Sequence, residues 1–293
     1  MPDLKYPRSR SKVRFRNYTR LLAAFLVFLL AVTAFVVALG KINDVKETAV
    51  VVTPVVIPQT PLPDPTPPPI EIPIGKTMDM VTIVIDAGHG GEDPGTISPY
   101  EKMFYEKDIT IDIAKRVEAY LKESDINVIL TRESDDRLKP TQKEDLIERA
   151  TIANDNNASL FVSIHVNAYD LKYKGAANVN GMEVYYLNKK ATYDDFDEED
   201  FATIMGNQIQ EFSGISFTGT RSDPLSVLRN TKMPAVLIET AYITNKEDHA
   251  RLKLDDFREK TAKGIAEGIK LSLDAVHAFE YDGDLYVFKE VGE

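Results

Sequence analysis

Residues 81–95 read VTIVIDAGHGGEDPG. A short run dominated by β-branched residues, VTIVI, that soon gives way to glycines is the mark of a strand buried on both faces, and His89 stands at its carboxyl end. Residues 160–168, LFVSIHVNA, repeat the arrangement with His165. In open parallel α/β sheets ligands collect outside the carboxyl ends of the strands, so the two histidines can converge on one site despite their separation. A lone histidine reads as a satisfied core residue, whereas a pair at strand ends reads as ligands. Gly88, Gly90 and Gly91 let the backbone approach a ligand closely, but neither GxGxxG nor a GK[ST] ending is present, so this is not a phosphate loop.

Outward from these strands, apolar runs alternate with helical periods. Ile109, Ile113, Val117 and Leu121 mark a helix over about 104–122, followed by a strand at 126–130. Thr141 with Glu144 predicts a capped helix through Leu146, Ala150 and Ala153. A strand at 182–187 and a helix at 200–212 come next, the latter preceded by the acidic stretch from Asp194 to Asp200, read as a solvated loop. Strands at 226–229 and 235–239 precede a long helix carrying Phe257, Ile265, Ile269 and Leu273. Residues 285–289 are open between an edge strand and a loose end. The expectation is an α/β fold: a single three-layer domain over 80–277 with a mixed, largely parallel sheet flanked by helices, and a C-terminal tail at 278–293.

The preceding chain has another character. Residues 21–39, LLAAFLVFLLAVTAFVVAL, contain no charge and at ~1.5 Å per residue suffice to cross a hydrocarbon core of roughly 30 Å. Residues 21–40 are therefore expected to form a transmembrane helix. The basic segment 1–20, with seven Lys/Arg against one acid, is expected to stay cytoplasmic and the rest to lie outside the cell membrane. A cleaved signal peptide is the alternative, disfavoured because its apolar region is usually only ~7–15 residues. Nine of the sixteen prolines fall between Pro54 and Pro73, so 41–79 reads as a polyproline-rich extracytoplasmic linker reaching on the order of 70 Å.

Composition narrows the chemistry. The absence of cysteine excludes disulfides, thiolate nucleophiles and Cys-ligated metals. Formal charge is −11 despite the basic arm, so the body is strongly acidic and no nucleic-acid partner is expected. Two imidazoles need a third donor, oxygen or nitrogen, to complete a three-residue zinc site. Glu106, at the start of the first helix, is placed to supply it, with Glu101 and Asp108 as rivals. Such a site keeps a fourth position for water and calls for an unligated carboxylate to move the proton. Glu239, closing the apolar run of VLIETAYITN, is that candidate, since a carboxylate ending a core strand is costly unless paired or functional. His249 and His277, among charged neighbours, are read as surface residues.

The blocks VIDAGHGGEDPG, YEKDITIDIAKRV, VILTR, ERATIANDNNASLFVSIHVNA, GMEVYYL and LSVLRNTKMPAVLIETAYITN resemble, in this order, zinc-dependent N-acetylmuramoyl-L-alanine amidases of the amidase-3 type. The resemblance covers most of 80–273. It implies one Zn²⁺ held by His89, Glu106 and His165, with Glu239 as catalytic acid/base, and so selects Glu106 over its rivals. The implied substrate is peptidoglycan, cut at the amide between N-acetylmuramic acid and L-alanine. The loop between Gly95 and Glu106 is somewhat long for the family, and Thr240-Ala241-Tyr242 stands where Gly-Phe is common. An inserted autoinhibitory helix is lacking before residue 200, which leaves dependence on a protein activator open. The competing readings are a zinc peptidase or deacetylase acting on another wall bond, and a catalytically inactive wall-binding scaffold.

Overall fold

The computed structural model describes residues 68–189 and 192–291. The proposed membrane helix and most of the proline-rich linker lie outside them. Among the described residues no helix is long and apolar enough to cross a membrane.

The chain enters through β1 (Lys76–Met80) and β2 (Thr82–Ala87), then α1 (Glu106–Lys122) and β3 (Asn127–Leu130). It continues through α2 (Gln142–Asp155), β4 (Leu160–Asn167), β5 (Met182–Tyr186), α3 (Glu198–Ser213) and β6 (Phe217–Ser222). The short α4 (Ser226–Asn230), β7 (Ala235–Tyr242), α5 (Lys246–Lys253), α6 (Asp255–Ala275), β8 (Phe279–Tyr281) and β9 (Asp284–Glu290) complete it.

Six strands form the main sheet in the order β3-β2-β4-β7-β5-β6. The pairs from β3 to β7 are parallel, β5 is antiparallel to β7, and β6 is parallel to β5, so the sheet is mixed as expected. Every residue of β2 is buried, because helices cover both of its faces. On one face Ile83, Ile85, Leu160 and Ile238 pack with Ile109, Ile113 and Val117 of α1, Phe201 and Met205 of α3, and Ile265 and Ile269 of α6. On the other, Val84, Phe161 and Leu237 meet Ala153 of α2 and Val227 and Leu228 of α4. These are the three layers.

Three details differ from the sequence reading, and a fourth, left open there, is resolved. Residues 226–229 are helical, and the strand in this region is β6 at 217–222, paired with β5. Four residues, Ser-Val-Leu-Arg, are too few to hold a period that separates strand from helical turn, while β6, at the sheet edge, lacks a core-strand pattern. The acidic stretch does not remain a loop throughout: Asp197 caps α3 by accepting from the Glu199 and Asp200 amides, and Glu198, Glu199 and Asp200 form its first turn. There the carboxylates meet the positive end of the helix. Residues 285–289 lie in β9, which pairs with β1 and β8 in a separate three-stranded sheet. The folded unit thus extends past both 80 and 277. Finally, His277 is exposed but His249 is buried, packed edge-on between Tyr100 and Phe104.

Candidate metal centre

The carboxyl ends of β2 and β4 deliver His89 and His165 to one place, their ring centroids 4.9 Å apart and nearly perpendicular. His89 leaves β2 with φ of 63°, a left-handed conformation that turns its side chain back over the strand end. The approach depends on missing side chains. A Cβ on Gly88 would lie 2.4 Å from the His165 ring, and one on Gly95 would lie 2.6 Å from Glu106 Oε2 and 2.7 Å from His89 Cδ2.

Glu106, the first residue of α1, is buried between the two imidazoles. Its Oε1 stands 3.2 Å from His89 Nε2 and 2.9 Å from His165 Nδ1, and accepts the Val166 amide at 2.8 Å. Its Oε2 accepts the Thr96 amide at 2.7 Å. The rivals are elsewhere: Glu101 pairs with Lys253 on the surface, and exposed Asp108 lies two residues along the helix from Glu106, hence on another side. Burial alone would raise the Glu106 carboxyl, yet His165 and His89 together hold it well below the usual carboxylate range. Burial would likewise lower His89, but Glu106 and Asp93 outweigh it and raise the imidazole to about 9.

His89, Glu106 and His165 each offer a ligand atom, and these atoms lie within 4.8 Å of one another. Ligands at about 2.0–2.1 Å from a tetrahedral zinc are roughly 3.3 Å apart, so the two measured spacings suit that ion. Asp93 Oδ2 takes the other nitrogen of His89, Nδ1, at 3.0 Å. A carboxylate there fixes the tautomer and leaves Nε2 free to ligate. The residues fit zinc in number, donor type and orientation.

Glu239 completes the cleft, which measures about 390 Å³ and is also lined by Asp93, Thr96, Asn167 and Ala168. It is the register partner of His165 across β4 and β7. Its Oε2 is buried without a hydrogen-bond partner. This carboxyl is raised to about 7, chiefly by burial, with the negative Glu106 and Glu183 adding to the rise and the imidazoles of His165 and His89 opposing it. A carboxyl poised near neutrality with a free oxygen can both accept and return a proton.

A buried ionic cluster stiffens the floor. Arg149 binds Asp86 Oδ1 at 2.7 Å, Asp145 Oδ2 at 2.8 Å and the carbonyls of Ala87 and His89, both at 2.8 Å. Asp86 also accepts from Thr131 and Ser163, two residues before His165, while Arg132 holds the Ala87 and Gly88 carbonyls. Asp86, Arg149 and Asp93, together with Glu183 beside Glu239, were not singled out by the sequence. Asp93, four residues from His89 in the same loop, was the one within reach of spacing alone.

The family Amidase_3, N-acetylmuramoyl-L-alanine amidase, matches residues 83–271. The endolysin of Bacillus phage SPP1 is 39% identical over 188 residues, covering 63% of this chain and 63% of the endolysin. N-acetylmuramoyl-L-alanine amidase LytC of Bacillus subtilis is 35% identical over 187 residues, covering 64% of this chain and 34% of LytC. This chain therefore spans less than two thirds of either relative. Among solved structures, the catalytic domain of CwlV, an N-acetylmuramoyl-L-alanine amidase from Bacillus (Paenibacillus) polymyxa var. colistinus, superposes with a TM-score of 0.58 at 36% identity. That likeness covers 67% of this chain and 99% of the CwlV domain.

Proposed function

The chain belongs to the N-acetylmuramoyl-L-alanine amidase family, and from that premise we propose that it is a membrane-anchored peptidoglycan hydrolase cleaving the amide between N-acetylmuramic acid and L-alanine. The observation that carries this reading is the meeting of His89, Glu106 and His165 beside the unpartnered oxygen of Glu239. His89, Glu106 and His165 are the residues that would hold one Zn²⁺. A bound zinc ion supplies Lewis acidity, polarising a carbonyl and acidifying water.

The chain's own groups do the rest. The Thr96 and Val166 amides and Asp93 hold Glu106 and His89 in ligating orientation. Glu239, ionised, takes a proton from the attacking water as its oxygen bonds to the lactyl carbonyl carbon. The same carboxyl then returns that proton to the alanine nitrogen as the C–N bond breaks, giving a free muramic carboxylate and an amine. The cleft opens to solvent at the strand ends, where an extended polymer can enter from outside.

The 19-residue apolar segment 21–39 with its basic flank supports anchoring in the cell membrane, the N-terminus cytoplasmic and residues after 40 facing the wall. The proline-rich stretch would hold the catalytic unit clear of the bilayer. Digestion of purified walls tests the reaction: new alanine amines and muramic lactyl carboxylates are expected from the wild type and not from Glu239→Gln. New peptide amines elsewhere, or free acetate, would place the chain with another hydrolase class, and unchanged walls at saturating zinc would leave a wall-binding scaffold.

A further inference from the structure

The catalytic row does not stop at Glu239. Residues directly opposite on paired strands project to the same face of a sheet. His165 of β4 faces Glu239 of β7, Glu239 faces Glu183 of β5, and Glu183 faces Gly219 of β6. The row thus runs across four strands from the metal centre to the sheet edge, ending at a glycine around which a Cβ would meet nothing within 4 Å. Beside that open end stands Arg221, the register partner of Tyr185 and so on the same face.

Glu183 is buried and fully engaged. Its Oε1 accepts from Arg221 Nη2 at 2.5 Å, and its Oε2 from the Tyr185 hydroxyl at 3.0 Å and Asn167 Nδ2 at 3.4 Å. Asn167 itself lines the catalytic cleft. Arg221 is held by this clasp through one nitrogen only, with 53% of its side chain exposed. Among the described residues its Nε and Nη1 make no hydrogen bond. A half-exposed guanidinium fixed at one corner, with two nitrogens unpaired among the described residues, is preorganised for a planar anion.

Two strand spacings of about 4.8 Å separate β6 from β7, and Arg221 lies two residues along β6 from Gly219, so its backbone stands roughly 12 Å from that of the proton-transfer residue. One residue of extended peptide reaches ~3.5 Å, and the arginine's own length closes much of the remainder. We propose that Arg221 recognises a carboxylate on the peptide that leaves with alanine, and that Glu183 is the positioning residue that holds it there. This rests on the amidase reading. Two carboxylates share the chemistry: the α-carboxylate of a residue after alanine that is joined onward through its side chain, and the terminal carboxylate of the peptide.

The test uses muramoyl peptides in three forms: both carboxylates free, the first amidated, and the terminal one amidated. Wild type, Arg221→Gln and Arg221→Lys are compared by kcat/KM, and by calorimetric binding of the released peptide alone. Gln keeps a donor for Glu183 while removing the charge; thermal melts identify any variant that fails to fold, and Lys then carries the comparison.

Amidating the recognised carboxylate is expected to lower wild-type kcat/KM by ~10-fold or more through KM, as for a lost charge-assisted hydrogen bond. In Arg221→Gln this preference falls to about 1 and peptide binding weakens by a similar factor, with partial recovery in Arg221→Lys. Which amidation matters identifies the source of the carboxylate. A wild type that cleaves all three forms equally, or an Arg221→Gln enzyme that keeps the preference, overturns the assignment and leaves the amidase reading standing. A wild type that cleaves none but binds the peptide with an Arg221-dependent carboxylate preference overturns the amidase reading and keeps the assignment.

Discussion

Replacing Gly88 with alanine perturbs the centre without replacing a proposed ligand. The added Cβ would lie 2.4, 2.5 and 2.8 Å from three atoms of the His165 ring, where ordinary contact begins at 3.4 Å. The ring must therefore retreat by about 1 Å, and it has little freedom to do so: its strand is paired on both sides and Glu106 holds its Nδ1. Gly88 does not have positive φ, so alanine adds no backbone strain and the variant should fold with an overpacking cost of about 1–3 kcal/mol. A 1 Å displacement near the reacting groups costs on the order of 10²-fold in turnover. Zinc titration by calorimetry, urea unfolding and wall solubilisation read the three effects separately. A Gly88→Ala protein with zinc affinity and turnover within twofold of wild type would refute the packing argument.

Three further outcomes are expected. Asp93→Ala should weaken zinc binding by ~10–100-fold while leaving the fold intact, because His89 loses the group that fixes its tautomer; unaltered affinity in the same titration would count against that role. The acid limb of kcat/KM should lie at or below pH about 7, since Glu239 must be ionised to accept a proton and a cation in the site can only lower a carboxyl that starts at about 7; a limb clearly above this assigns the base elsewhere. Arg149→Met should cost about 3–5 kcal/mol in urea unfolding at pH 7 by leaving Asp86 buried without its cation. Burial would raise Asp86, but Arg149, Thr131 and Ser163 outweigh it and hold it below the usual range, so its stabilisation is present above the unfolded pKa and lost as pH falls through the folded one. The deficit of Arg149→Met should accordingly shrink in acid, and a constant deficit down to pH 3 would show that the ion pair is not its cause.

The fold was legible where one physical rule acted alone. Buried parallel strands such as β2 and β4 must be continuously apolar, and helices such as α1 and α6 must show a four-residue step. These gave the layers and placed both histidines at strand ends. Where pairing is long-range the sequence is silent: β1 and β9 join residues some two hundred positions apart, and nothing local marks either as the other's partner. The short edge strand β6 carries too few buried residues for a pattern. In the site, Glu106, Glu101 and Asp108 are equivalent on composition, and only the loop's path, which brings the Thr96 amide onto Glu106, separates them. Glu183 and Arg149 read as ordinary charged residues because their burial depends on partners 38 and 63 positions away.

The central claim is that three distant side chains hold one divalent ion. Metal analysis of the purified chain after zinc supplementation and removal of free ion should give one zinc per wild-type chain, and none in His165→Ala at unchanged folding by circular dichroism. Zinc far below stoichiometry in the wild type, or equal zinc in both proteins, would contradict it.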